Sequence, residues 1–137
     1  MKTFRPTCLT IICTAMAVVA SLHPSYAAPA AESPRELVAR HLAAVKTDDV
    51  ALIMKDYASD AVIVRPDGTY IGTAGVRRFF EWLAAQHRDW NSFVATQEEK
   101  GQGVVFQTNV KNGQVEVFVV RKGKIVFQVL QPVPAQP

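Results

Sequence analysis

The chain has 137 residues, of which 49% are hydrophobic and 20% are charged, and its formal net charge at pH 7 is +3. This length and composition indicate one globular domain, and so small a charge gives no reason to expect nucleic acid or an anionic membrane as a partner. The two cysteines, Cys8 and Cys13, both lie near the N-terminus. The rest of the sequence therefore excludes disulfide and thiol chemistry.

The first 27 residues have the pattern of a secretory signal peptide. Lys2 and Arg5 precede an uncharged apolar run from Cys8 to Ala20, and a Ser-Tyr-Ala triplet ends at Ala27. The run is shorter than the roughly 20 apolar residues that a membrane-spanning helix needs. Cleavage after Ala30 and an uncleaved anchor are the alternatives. We expect cleavage after Ala27, export to the periplasm or the medium, and a mature chain of nearly balanced charge without membrane attachment.

Two helices are predicted after a flexible leader at residues 28–32. Ser33 and Glu36 have the spacing of a capping box, with Pro34 at the first helical position. Apolar residues and His41 then recur at helical spacing as far as Val45. Residue 47 or 48 begins a second helix, which we expect to run through Tyr57 and to stop at residues 58–60.

A small hairpin and a third helix follow. Residues 61–65 are a β-branched run, the Pro-Asp-Gly sequence at 66–68 predicts a turn, and residues 69–71 form the returning strand. The third helix opens at Gly72 and Thr73. Its apolar side carries Val76, Phe79, Phe80 and Leu83, and Trp82 lies beside that side.

The remaining sequence alternates with the period of β-strands. Four strands are predicted at residues 92–99, 104–110, 114–120 and 125–131, joined by short connections that contain glycine, and residues 132–137 form a loose tail. Such successive hairpins give an antiparallel meander. We therefore predict one α+β domain at residues 33–131, in which three N-terminal helices pack on a curved antiparallel sheet and form a cone-shaped apolar pocket.

Three stretches carry a resemblance to a known superfamily: LVARHLAAVKTDDVALIMKDYASDAVIVRPDG, IGTAGVRRFFEWL and VEVFVVRKGKIVFQVL. Their order resembles the superfamily of nuclear transport factor 2, ketosteroid isomerase, scytalone dehydratase and the SnoaL-like polyketide cyclases. The resemblance covers about Ser33 to Gln131. It implies the cone fold, but it does not imply one activity, because many chemistries share this scaffold.

The steroid isomerases of this superfamily use a carboxylate base before a proline, a tyrosine on the first helix and a protonated acid on a later strand. Under the resemblance, Arg65, which precedes Pro66, takes the position of the base. His41 takes that of the tyrosine, and Glu116 lies near that of the acid. A guanidinium cannot accept a proton, so the resemblance argues against this family mechanism here.

His41 and Glu116 are the candidate catalytic residues. His41 interrupts an apolar helix face, so either it lies in the pocket or it is a core histidine bonded to a carbonyl or to Tyr57. Glu116 lies in an apolar strand. It is either a pocket carboxyl with a raised pKa or an edge residue that reaches solvent or pairs with Arg65.

The candidate ligand-binding residues surround this pair. Arg65 would hold an anionic group through its planar fork, unless it makes a surface ion pair. Either Gln128 and Leu130 or their neighbours Phe127 and Val129 face the pocket. The predicted lining consists of Tyr57, Arg65, Phe79, Trp82, Phe118 and Gln128, with core packing as the alternative for the aromatic residues. His41 and His87 lack metal-ligand spacing and no phosphate loop is present, so no metal or cofactor is predicted.

Three functions are consistent with these residues. The first is an exported pocket protein that binds a small, largely apolar molecule with a polar end. The second is an isomerase or cyclase that uses His41 and Glu116 as an acid/base pair. The third is a non-catalytic interaction module. In each case we predict a homodimer that forms through the sheet, because the three helices do not cover all of its apolar surface.

Overall fold

The computed structural model describes residues 31–90, 93–111 and 113–131. The predicted signal peptide and tail lie outside these residues, as does most of the leader. Within the leader, the carboxylate of Glu32 accepts hydrogen bonds from Arg40 at 2.9 and 3.0 Å.

Helix α1, Pro34–Val45, begins at the predicted capping box. The Ser33 hydroxyl accepts from the backbone N–H of Glu36 at 3.2 Å, and the Glu36 carboxylate accepts from the N–H of Ser33 at 2.8 Å. These bonds satisfy two backbone donors that the helix itself leaves unpaired. The helix buries Leu37, Val38, His41, Ala44 and Val45.

Helix α2, Val50–Met54, is shorter than predicted. Its cap is Asp49, whose side chain accepts from the N–H of Leu52 at 3.0 Å. The prediction that Tyr57 belongs to this helix is wrong, because strand β1, Tyr57–Arg65, begins there. A five-residue helix has few internal hydrogen bonds and little stability of its own, so pairing with the sheet decides where it ends. The backbone bond from the N–H of Ile125 to the carbonyl of Asp56, at 2.8 Å, fixes that point.

Strand β2, Gly68–Ile71, returns beside β1, and helix α3, Gly72–Ala84, follows at the predicted position. The later strands are β3, Ala95–Glu99; β4, Val104–Asn109; β5, Val115–Arg121; and β6, Lys124–Gln131. The six strands form one sheet in the order β2-β1-β6-β5-β4-β3. All neighbouring pairs are antiparallel except β1 and β6, which run parallel.

The prediction of an antiparallel sheet is therefore wrong for one pair of strands. β6 is the last strand of the meander β3 to β6. Its free edge pairs with β1, a strand from the N-terminal part of the domain. Register shifts interrupt the β1–β6 and β5–β6 ladders. Such irregularities bend strands, and the α+β fold has a curved sheet that does not close.

The two faces of the sheet differ in burial. On β4, Val105, Gln107 and Asn109 are buried while the intervening residues are only partly buried. The buried face packs on α1 and α3, where Phe79, Phe80 and Phe118 lie in the core together with Tyr57. One end of this core opens into a cavity.

Candidate ligand pocket

A cavity of about 690 Å³ lies between the helices and the inner face of the sheet. Its volume is within the range of small-molecule sites in proteins. Apolar side chains contribute much of its lining, and several amides and charged groups join them. The lining residues are His41, Val45, Arg65, Pro66, Asp67, Phe79, Phe80, Leu83, Arg88, Asp89, Trp90, Phe93, Gln107, Asn109, Gln114, Glu116, Gln128 and Leu130.

Glu116 reaches the cavity because it shares the inner face of β5 with Phe118. The strand register places it opposite Gln107 on β4 and Leu130 on β6. One carboxylate oxygen, Oε2, accepts from the amide of Gln107 at 3.4 Å and from that of Gln128 at 3.3 Å. These two amides hold the carboxyl group at the wall of the cavity.

Burial raises the pKa of Glu116 to about 7, although the hydrogen bond from Gln128 and the charge of Arg65 oppose the rise. The residue as a whole is only partly buried, since it faces the cavity. Nevertheless, protein atoms surround the carboxyl group closely enough for loss of hydration to dominate its titration. Glu116 is thus an acid that exchanges its proton near neutral pH.

His41 also lines the cavity, although its side chain is almost fully buried. Its Nε2 is 3.3 Å from the hydroxyl of Tyr57, and its Nδ1 is 3.4 Å from Oδ2 of Asp56. Burial lowers the pKa of His41, and the nearby carboxylate of Asp56 only partly opposes this. The ring is therefore neutral at pH 7, and both of its nitrogens face protein groups.

Arg65, the last residue of β1, lies on an aromatic surface. Its guanidinium carbon is 5.0 Å from the ring centre of Phe79 and 4.7 Å from that of Trp82, and its Nε pairs with Asp67 at 2.9 Å. Cation–π contacts and one ion pair fix the orientation of the planar group. A partly buried cation is thereby held at the cavity.

The predicted site residues separate into two groups. His41, Arg65, Phe79, Glu116 and Gln128 line the cavity together. The other three support that lining from behind. The Tyr57 hydroxyl donates to Oε1 of Gln128, Trp82 stacks under Arg65, and Phe118 is fully buried against the ring of His41.

Sequence reasoning missed Gln107, Asn109 and Asp56. The first two alternate with Val105 along β4, and this alternation was a signal that they share the inner face. Asp56 had no such signal, because it precedes a strand whose start was predicted too late. Its side chain is fully buried and accepts a hydrogen bond from Arg40 on α1.

The sequence profile of the SnoaL-like domain matches residues 38–128, and the chain belongs to this family. No curated protein matches the sequence. Among solved structures, an NTF2-like protein of unknown function from Cytophaga hutchinsonii is 15% identical, with a TM-score of 0.54 over 74% of this chain and 91% of that one.

Two further structures share the fold at similar distance. A protein from Sinorhizobium meliloti, provisionally named a polyketide cyclase, is 19% identical with a TM-score of 0.51, over 70% of this chain and 94% of its own. A provisionally named isomerase from Bacillus subtilis is 13% identical with a TM-score of 0.52, over 69% of this chain and 82% of its own. At these identities the likeness establishes the fold alone.

Two further features are absent from the described residues. No group of three or more His, Cys, Asp or Glu side chains is placed to hold a metal ion there. Within the same ranges, no helix has the length and apolar character needed to cross a membrane.

Proposed function

We propose that the cavity binds a small, largely apolar molecule whose polar end meets Glu116 and Arg65. The observation that carries this proposal is the cavity itself, where aromatic and aliphatic side chains surround a few convergent polar groups. This combination is typical of small-molecule sites. The family and the fold are consistent with it, since SnoaL-like and NTF2-like neighbours include proteins provisionally named as a cyclase and an isomerase.

The polar groups suggest how such a molecule would be oriented. Oε2 of Glu116 already accepts from two amides, which leaves Oε1 to accept from a hydroxyl or amine of the ligand. Arg65 would attract an anionic group, since its guanidinium is oriented by Phe79 and Trp82 and pairs with Asp67 through Nε. An apolar body would then contact Leu83, Leu130 and Phe80.

Two fluorescent probes test the proposal: anilinonaphthalene sulfonate, which is anionic, and phenylnaphthylamine, its neutral counterpart. Leu130 lines the cavity, while its neighbour Val129 lies on the opposite face of β6. Leu130→Phe should weaken binding of both probes about tenfold or more by filling the cavity, a change of about 1.4 kcal/mol. Arg65→Gln should weaken binding of the sulfonate alone.

Val129→Phe is the matched control, because it adds a ring at the adjacent position on the outer face. It should leave the affinity of both probes unchanged. Probe binding that survives Leu130→Phe and is lost in Val129→Phe would place the ligand on the outer face and overturn the proposal. Absence of binding for both probes would argue against it as well.

A catalytic role is a second candidate, favoured by the pKa of about 7 for Glu116. A general acid or base is most effective when its pKa lies near the working pH. His41 would then not contact the substrate, because its nitrogens face Tyr57 and Asp56. In an enzyme, Glu116→Gln abolishes turnover while probes still bind; in a binding protein the same change alters affinity alone.

A further inference from the structure

A continuous row of polar side chains connects the protein surface to Glu116. Arg40, which is about half exposed, donates to Oδ1 of the buried Asp56. The other carboxylate oxygen of Asp56 lies 3.4 Å from Nδ1 of His41. The row continues from Nε2 of His41 to Tyr57, from Tyr57 to Gln128 and from Gln128 to Glu116.

The contact between His41 and Asp56 requires a proton. As placed, neither Nδ1 nor Oδ2 makes a hydrogen bond to a described residue, although both atoms are buried. Burial would raise the pKa of Asp56, but His41 and Arg40 lower it on balance, so its side chain is an anion. A bare nitrogen lone pair at this distance from a carboxylate is repelled. In the arrangement that avoids this repulsion, the single proton of the neutral His41 ring lies on Nδ1, and Nε2 is an acceptor.

With the proton on Nδ1, the donor and the acceptor of each following hydrogen bond are determined in turn. Burial raises the pKa of Tyr57 well above its usual value, so its hydroxyl has one proton, which it donates to Nε2 of His41. The Tyr57 oxygen must then accept from the amide N–H₂ of Gln128. The oxygen and nitrogen of an amide exchange places by a half turn, so the side chain of Gln128 keeps its position. Its oxygen now faces Oε2 of Glu116, and these two acceptors need a proton between them.

We infer that Asp56 governs the protonation of Glu116 through the hydrogen bonds of His41, Tyr57 and Gln128. When Asp56 holds the His41 proton on Nδ1, the chain of donors ends in a protonated Glu116. When Glu116 is ionised, Gln128 donates to it and Tyr57 donates to Gln128. His41 then carries its proton on Nε2 and Asp56 loses its donor.

The hydrogen bonds in the structure are those of the second arrangement, with Glu116 ionised. Gln128 donates to Glu116, Tyr57 donates to Gln128, and the unpaired atoms are Nδ1 of His41 and Oδ2 of Asp56. Ionisation of Glu116 thus leaves a buried carboxylate oxygen without its donor. Leaving such a group unpaired is unfavourable, so Asp56 acts to keep Glu116 protonated.

The other charged groups at the cavity act on Glu116 by a different route. Their charges influence it through space and do not depend on Tyr57, which allows the two effects to be separated. These groups are Arg65 and Asp67 around the end of β1 and Arg88 and Asp89 beyond α3. The relevance of Asp56 to ligands rests on the function proposed above, whereas the coupling is measurable in protein without ligand.

Nitrogen NMR of the His41 ring between pH 5 and 9 tests the coupling in the purified protein, with the carboxyl carbon of Glu116 followed in parallel. The proton of His41 should move from Nδ1 to Nε2 as the pH rises, with the same midpoint as the titration of Glu116. In Glu116→Gln this step should disappear. A His41 tautomer that stays constant in the parent protein while Glu116 titrates would overturn the inference.

Asp56→Asn supplies an independent test, because an amide can donate to Nδ1. It should fix the proton of His41 on Nε2 and lower the proton affinity of Glu116 about tenfold, the size of one net hydrogen bond. Loss of the Asp56 charge also acts through space, so the measurement is repeated in Tyr57→Phe. There the effect of Asp56→Asn should fall below about threefold, because the hydrogen-bonded route is interrupted.

Glu32→Gln is the matched control, since Glu32 is an exposed carboxylate that also pairs with Arg40. It should change neither the His41 tautomer nor the titration of Glu116. An equal effect of Asp56→Asn with and without the Tyr57 hydroxyl would show that only charge is involved and would refute the route. If Asp56→Asn fails to fold, the pH series on the parent protein and Glu116→Gln still decides.

Discussion

Glu116 and His41 influence the pH dependence of folding in opposite directions. The pKa of Glu116 rises from 4.5 to about 7 on folding, so its contribution to stability is present below pH 4.5 and is lost as the pH rises to about 7. The pKa of His41 falls below 6.5 on folding. Its contribution is therefore present above pH 6.5 and is lost as the pH falls through the lower value. Below pH 6.5 the two effects oppose each other over the range in which both groups titrate.

Glu116→Gln isolates the first effect, because an amide does not titrate. We expect the stability of this variant relative to the parent to rise by up to about 3 kcal/mol between pH 4.5 and 7, and to remain level above pH 7. Urea unfolding at pH 4.5, 7 and 8.5 measures the difference. Glu99→Gln, which changes an exposed carboxylate at the end of β3, controls for removal of a carboxylate. A stability difference that is the same at all three pH values would contradict the assignment.

For single helices and strands, the sequence predicted the boundaries that depend on neighbouring residues. Ser33 and Glu36 identified the start of α1, and the start of α3 at Gly72 was also predicted correctly. Long-range pairing carried no such signal. The start of β1 at Tyr57 and its parallel pairing with β6 depend on contacts with residues near 125, which no local pattern reveals.

The site follows the same rule. Glu116 and His41 were predicted to lie at the cavity because each is a polar residue within an apolar pattern, which is visible in the sequence, whereas the alternation along β6 left the inward face of Gln128 open. Asp56 was missed because its burial depends on the pairing that ends α2 and on Arg40 from another helix. The hydrogen-bonded row that joins these residues is a product of tertiary structure, and periodicity does not encode it.

The turn that precedes β4 gives a prediction at this scale. Gly103 and Gly123 have nearly the same backbone φ, +72° and +69°, a region that L-residues rarely adopt. A Cβ at Gly103 would overlap the carbonyl oxygen of Val120, whereas a Cβ at Gly123 meets nothing within 4 Å. The carbonyl of Gly103 also accepts from the N–H of Val120 at 2.7 Å, so the two backbones cannot separate without loss of this bond.

Gly103→Ala should therefore destabilise the protein more than Gly123→Ala. The conformational cost of about 1–2 kcal/mol is common to both variants, and the overlap adds about 2 kcal/mol at position 103. Thermal unfolding of the two variants beside the parent measures the difference. Equal losses would show that the backbone at β5 moves away freely and would refute the steric argument.

At the scale of the whole molecule, the outer face of the sheet is apolar and only partly buried. The outward residues of β1, β6, β5 and β4 face away from α1 and α3, and they adjoin one another across four strands. They include Val62, Val64, Phe106, Val117, Val119, Phe127 and Val129. A continuous apolar surface of this kind is typical of a protein–protein interface.

We therefore retain the proposal that two copies associate through this face. Val117 lies near its centre, paired with Phe106 on one side and Val129 on the other. Val117→Lys should convert a dimer to a monomer in sedimentation equilibrium, because a lysine ammonium would be buried without a partner at the interface. Thr96→Lys, on the same face at the exposed edge strand β3, should leave the dimer intact. A parent protein that sediments as a monomer at all concentrations, or a dimer that tolerates lysine at position 117, would exclude this face as the interface.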